Sequence, residues 1–511
     1  MVRGRLSSVI FSVALLVVTS ALLSTLYWAA ATIFVRPLDI VEGEVLFEAD
    51  RIRSNLALYT DPAVGAYDYG PVPARYLVLY PPVWPFFLSF LPKAWAAHAA
   101  RLLVFALWYG LLGWIVLRAP RQHRRAAALA AMFVAGVWVL ALFALVARPD
   151  ALAVLCSGLA LERVSRRLST GVKVSLDAVS GGLFALAPWL KPNVVGAAPG
   201  AFFAVAFLAW LGARRASAVG AKSPLASAWG AVAPGIAGVA LVSTCIAVTL
   251  TIVSGQAWIT HLLASTGQPP SASLWFEQLG SRLPFFGLPL ASAMFVGMRA
   301  RKDPGAFVAL LGLVSATAWC LLALAKIGSL SVYFLEPCVA GVIVFARAPI
   351  PASWREPRAR FPLSVVALVQ ALWTGVGSMR SAFEHVPSDR EQAAVIATAR
   401  QTCGAPAGSI VLAEEPGVEF MMNGRIVQTP FQSTFLALRG KFPLHVWLSD
   451  VMHPEVACLV MQGDLLERPL SEVHIEHDRF GVELRRALVE RFALVETRAG
   501  YYVYKVRPPE D

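Results

Sequence analysis

Apolar runs of 18 or more residues recur along about the first 380 positions, each long enough to cross a hydrocarbon core of about 30 Å as a helix. Short polar stretches separate them. The pattern predicts spans at 8–35, 94–117, 126–147, 150–162, 175–190, 194–212, 228–253, 283–298, 306–325, 332–347 and 361–379, about eleven in all. The first follows MVRGR and runs past 20 apolar residues, too long for a signal-peptide core, so it reads as a retained span. Arg- and Lys-rich runs at 118–125, 162–173, 213–222, 298–302 and 347–360 fall in every second loop. Such runs stay in the cytoplasm. The N-terminus is therefore expected inside, and the loop 36–92 and the chain after about 380 outside.

The first outer loop is too long for a connector. Val41, Val45, Leu46, Ala49, Ile52 and Leu56 recur at near-helical spacing, which predicts an amphipathic helix lying in the interface. The stretch 80–92 crowds Tyr, Trp and Phe with prolines, which suits the headgroup level and denies a continuous span. A second outer loop, 254–282, is expected to hold short interfacial helices around Trp258 and Trp275. Beyond about 380, strands at 409–413, 455–461 and 492–506 alternate with helical patterns. One helix is expected to start with Asp389 in its first turn. The fold class expected is mainly α, with a transmembrane helical module over 1–380 and an extracytoplasmic α/β domain over 381–511.

Composition agrees. Charged residues make up 15% of the 511, well below the roughly one quarter of a soluble globule. The net charge of +12 sits in the orientation runs, which argues against nucleic-acid binding. Six cysteines show no metal-binding spacing. Cys403 and Cys458 fall on the expected outer side, where a disulfide is permitted, although Cys458 reads equally well as a buried strand residue.

Directly after the first span come Asp39, Glu42, Glu44, Glu48 and Asp50. Three further charged sites stand near outer span ends: Arg148-Pro149-Asp150, Lys191-Pro192-Asn193 and Lys326-Ile327-Gly328-Ser329. Ionisable groups at membrane depth cost roughly 2.5–3.5 kcal/mol each, so they need partners or a task. His474 and His477 near three carboxylates fit a solvated strand better than a metal site.

These residues resemble a family. Asp39-x-x-Glu42-Gly43, Ala49-Asp50-Arg51-Ile52, Tyr69-Gly70-Pro71 and Tyr80-Pro81-Pro82 look like the first outer loop of bacterial GT-C membrane glycosyltransferases. Arg148-Pro149-Asp150 matches a tripeptide of that group, and Lys326-x-Gly328-Ser329 with Tyr333 and Glu336 resembles its basic stretch, with Val332 in place of the usual Asn. The run 412–431 resembles the start of the outer domain in some members. The resemblance implies inverting transfer of a sugar from a polyprenyl-phosphate donor to an envelope glycan, lipid or protein acceptor at the outer face of a bacterial cell membrane. Glu42, or Asp39, would be the general base. Lys326, with Arg148 or Lys191, would hold the donor phosphate, with Asp150, Tyr333, Glu336 and Tyr80 among the binding residues. No cofactor is implied; the loop carboxylates leave Mg²⁺ or Mn²⁺ open. The rival readings are a transporter or channel for a charged small molecule or lipid, and an inactive envelope scaffold.

Overall fold

A computed structural model describes residues 2–171, 173–216, 223–266, 270–326, 331–349, 354, 356–465 and 480–508. The helices, in chain order, are α1 (Val2–Thr32), α2 (Ile40–Arg53), α3 (Val83–Ser89), α4 (Ala96–Arg118), α5 (Arg124–Gly136), α6 (Trp138–Ala144) and α7 (Asp150–Ser169). Then come α8 (Ala178–Leu190), α9 (Ala197–Ala216), α10 (Pro224–Ser254), α11 (Ala257–Thr266), α12 (Ala272–Arg299), α13 (Pro304–Ala323), α14 (Leu335–Arg347) and α15 (Pro357–Ala371). The last are α16 (Gly377–Thr402), α17 (Pro416–Asn423), α18 (Pro430–Leu438), α19 (Leu444–Val451) and α20 (Val482–Arg491).

Among the described residues, seven helices are long and apolar enough to cross a membrane, or up to eight if α5 and α6, bent by 76° at Val137, are one span. The expected eleven are not confirmed by this count. An apolar run gives length in residues, not in one straight helix. α8 and α14 have 13 residues each, about 20 Å at 1.5 Å per residue. α7 carries Asp150, Glu162 and three arginines. The chain is a multi-pass membrane protein all the same.

The chain divides into two compact units. The first comprises Met1–Ala30, Leu102–Thr249 and Pro269–Phe383; the second comprises Ala31–Arg101, Leu250–Gln268 and Glu384–Asp511. The first outer loop thus groups with the C-terminal residues.

In the first unit, glycines let helices touch backbone to backbone. A methyl group at Gly181 of α8 would come within 1.9 Å of Gly235 O on α10. One at Gly200 of α9 would come within 2.0 Å of Leu311 O on α13, and one at Gly305 of α13 within 2.1 Å of Ser165 O on α7. Helices that lack a hydrophobic drive to associate in lipid gain their contact from such close approach.

The second unit is built on a four-stranded sheet, β1 (Ile410–Ala413), β2 (Val456–Met461), β3 (Phe492–Arg498) and β4 (Tyr501–Val506), in the order β1-β2-β4-β3. β1 and β2 are parallel; the other pairs are antiparallel. Alternation assigns the faces. Ile410, Leu412 and Leu459 pack with Trp447, Leu484 and Leu488 on one side. Val411, Ala413 and Val460 pack with Val395, Ile396 and Ala399 of α16 on the other. A disulfide joins Cys403 to Cys458, so Cys458 is both bonded and buried in its strand. Asp389 is not in a first turn, because α16 already begins at Gly377 and runs on through Pro387, the proline that suggested a boundary there. Trp275 lies in the long helix α12 rather than in a short one.

α2 is also not interfacial. Every residue from Val41 to Arg51 is buried. Polar side chains can be buried there because each side of the helix has partners waiting. Arg51 pairs with Asp68 at 2.7 Å and lies over the rings of Phe47, Tyr69 and Tyr76. Asp50 takes Arg53 at 2.8 Å and Lys93 at 2.6 Å, and Arg53 also donates to the carbonyls of Leu88, Ser89 and Leu91 just beyond the aromatic run. His261 of α11 is a strut: its Nδ1 accepts from Val78 N at 3.1 Å, and its Nε2 lies 2.9 Å from Thr60 O.

Candidate active site

The sequence-derived site residues fall into two groups, one in each unit. In the second unit, Asp39 caps α2. Its Oδ1 accepts from Glu42 N at 2.7 Å, and Glu42 Oε2 accepts from Asp39 N at 3.2 Å, a reciprocal capping box. Arg101, at the start of the second apolar run, grips Glu42 with both faces of its fork: Nε to Oε1 and Nη2 to Oε2, each 2.7 Å. The same guanidinium donates to the carbonyls of Ile33, Arg36 and Pro37 at 3.0 Å. Both partners are almost wholly buried. Arg101 was missed in reading the sequence, although a signal existed: an Arg inside an apolar run requires a buried partner. Glu42 is therefore a firmly paired carboxylate, and Asp39 is the half-exposed one.

The N-terminus of α2 is also clamped by α17. A methyl at Gly43 would meet Gly417 Cα at 2.2 Å, and one at Gly417 would meet Asp39 O at 2.2 Å and Leu38 O at 2.3 Å. Two glycines are needed where these backbones cross. The EPG run 415–417, singled out in the sequence only by resemblance, is the piece that seats Asp39 and Glu42.

The remaining loop acids diverge. Glu44 Oε1 accepts from Gln432 Nε2 at 3.1 Å, while Glu48, one turn on, is buried with Oε2 lacking a partner. Burial, aided by the charge of Glu44, pushes the Glu48 carboxyl well above the usual range. Among the described residues, no three His, Cys, Asp or Glu side chains are grouped to hold a metal ion. Tyr80 is half-buried ahead of α3; Trp84 is buried, while Phe86 and Phe87 are exposed.

The first unit gathers the other group. Asp150, opening α7, takes Arg148 Nε at 3.0 Å and Lys191 Nζ from the end of α8. Asn193, two residues on, donates to Tyr333 Oη at 2.7 Å. Glu336 of α14 accepts from Ser157 Oγ at 2.6 Å, Gly196 N at 2.9 Å and Ala197 N at 3.1 Å. It therefore holds the start of α9, where an acid complements the helix dipole. Lys326 is tied by a backbone bridge to Pro270. Burial, then the like charge of Lys191, brings its ammonium down to about 8. Arg148 and Lys191 thus meet at one ion-paired acid, Asp150, and Lys326 lies close enough to Lys191 for their like charges to interact. Gly328, Ser329, His474 and His477 lie outside the described residues.

The sequence matches no protein-family model and no curated protein. Solved structures do match. ArnT from Cupriavidus metallidurans bound to undecaprenyl phosphate superposes over 97% of either chain, with a TM-score of 0.54 at 14% identity. The apo form of that protein covers 99% of this chain and 98% of its own, also at 0.54, with 12% identity. An oligosaccharyltransferase of Archaeoglobus fulgidus gives 0.46 at 10% identity, over 88% of this chain and 69% of its own. The fold is the polytopic GT-C type.

Proposed function

We propose that this chain transfers a sugar from a polyprenyl-phosphate donor to an acceptor hydroxyl at the outer face of the cell membrane. The observation that carries the reading is the gathering of Arg148 and Lys191 on one acid, Asp150, with Lys326 near Lys191, in a fold that holds undecaprenyl phosphate in ArnT. Lysine offers phosphate a point charge and arginine a planar fork. Together they stabilise the negative charge that grows on the phosphate as the sugar leaves.

In the proposed step, an acceptor oxygen attacks the anomeric carbon and its proton passes to a carboxylate. The bond from carbon to phosphate oxygen breaks, and polyprenyl phosphate departs with the electron pair. One displacement inverts the anomeric centre. Of the two carboxylates considered, the half-exposed Asp39 fits the proton acceptor better. Glu42, bonded through both oxygens to Arg101, fits the anchor that fixes it.

The test is transfer by purified protein from a panel of polyprenyl-phosphate sugars. Asp39→Asn is expected to abolish transfer with an unchanged melting temperature, because the amide still accepts from Glu42 N. Undiminished transfer by Asp39→Asn, Glu42→Ala and the double variant discards both assignments. Cysteine labelling of residues 36–76 checks the side of the membrane: reaction only from the cytosol ends the proposal, since the outer leaflet donor could not reach them.

A further inference from the structure

Thr429-Pro430-Phe431-Gln432 has the spacing of a capping box at the start of α18. The structure does not use it as one. Thr429 makes no side-chain cap to the helix, and its hydroxyl, fully buried, has no partner. Gln432 turns its amide nitrogen to Glu44 instead, which leaves its buried Oε1 without a partner. Gln428, one residue before the cap and 2% exposed, has neither end of its amide bonded. Glu48 Oε2, one helical turn from Glu44, is unpartnered too.

Folded proteins rarely leave buried polar groups unpaired, and a cluster of them marks a place where something else binds. The chemistry of the cluster narrows what that is. The carboxylate of Glu44 repels a phosphate or carboxylate. A metal ion lacks its ligands, since no three His, Cys, Asp or Glu group together among the described residues. The open valences instead mix donors and acceptors: an amide with both, a hydroxyl with both, and lone carbonyl and carboxyl oxygens. A ligand rich in neutral hydroxyls, each donating once and accepting as well, satisfies that mixture. Burial raises the Glu48 carboxyl, so it holds a proton more readily than an ordinary carboxylate.

We infer that Gln428, Thr429, Gln432 and Glu48 form a subsite for the hydroxyl groups of a neutral sugar. This rests on the transfer reaction proposed above only for the source of that sugar, which is either the acceptor or the donor's glycosyl unit.

The experiment uses the full chain in nanodiscs and saturation-transfer NMR with a panel of methyl pyranosides and furanosides. Wild type is expected to bind at least one. Thr429→Val and Gln428→Leu are expected to bind it about tenfold more weakly, the loss of one or two hydrogen bonds. Melting temperature should hold, because each change deletes groups that have no partner to lose. No binding by wild type, or equal binding by both variants, overturns the subsite. Transfer assays separate the two ideas. Glycoside binding without any transfer removes the proposed reaction and leaves the subsite standing; transfer with unaffected variants removes the subsite alone. Where transfer occurs, a raised KM for the acceptor in Thr429→Val assigns the site to the acceptor, and a raised KM for the lipid-linked sugar assigns it to the donor.

Discussion

Replacing Gly417 by alanine tests how Asp39, the proposed proton acceptor, is held. The new methyl would sit 2.2 Å from the carbonyl oxygen of Asp39 and 2.3 Å from that of Leu38. Ordinary contacts of carbon lie near 3.5–4.0 Å, so α17 and the start of α2 must part by about 1 Å or more. The obstructing atoms are backbone and cannot rotate away. Overpacking of this kind costs about 1–3 kcal/mol. The helix propensity gained on losing a glycine offsets at most about 1 kcal/mol. The balance is a loss, and Asp39 is the residue displaced. A shift of about 1 Å at a reacting group costs on the order of 100-fold in rate. Gly43→Ala, whose methyl meets Gly417 Cα at 2.2 Å, should behave alike. The assay is initial-rate transfer from a polyprenyl-phosphate sugar, with thermal unfolding in parallel. Gly110→Ala is the control, since a methyl there meets nothing within 4 Å, and it should be neutral or slightly stabilising. If Gly417→Ala transfers and melts like wild type, the clamp does not position Asp39.

Three other outcomes are expected. Arg101→Met strands Glu42 as a buried, unpaired charge and should cost about 3–5 kcal/mol by thermal or denaturant unfolding, with part recovered in the double variant Arg101→Met/Glu42→Gln; a wild-type melting temperature would contradict the pairing. Lys326, with its ammonium near 8, is charged below that pH and neutral above it, so transfer should fall as pH rises through about 8. Lys326→Arg should carry the fall to higher pH, and a flat wild-type profile from about pH 7 to 9 counts against a phosphate role. Reduction of Cys403–Cys458, which closes a loop of 55 residues, should remove about 4 kcal/mol by the loop-entropy relation; a melting temperature indifferent to reductant would contradict it.

The strands were legible in the sequence because a short apolar run of strand length marks a strand buried on both faces: 410–413, 456–461 and the hairpin turning at Ala499-Gly500 all stand where the pattern put them. The acidic helix after the first span was legible as a helix but not in its setting. Its apolar stripe suggested an interface, whereas Asp68, Lys93 and Gln432, from distant sequence, supply partners that bury its polar side. No local pattern reveals such partners. The count of eleven and the count of long helices differ for a related reason: apolar content persists through the break at Val137 and through short helices, while the latter count depends on straight length. The meeting of Gly43 with Gly417 joins positions 374 residues apart, and nothing short of three dimensions connects them.

The glycine crossings at Gly181, Gly200 and Gly305 carry a wider consequence. What they demand of the chain is an absence: no side chain at a handful of points where helices meet, and little beyond greasiness along the lipid-facing walls. Such a demand leaves most positions at liberty to differ, so one architecture of this sort can be written in almost entirely different letters. That is how two chains agreeing at 14% of positions can share one fold over nearly their whole lengths.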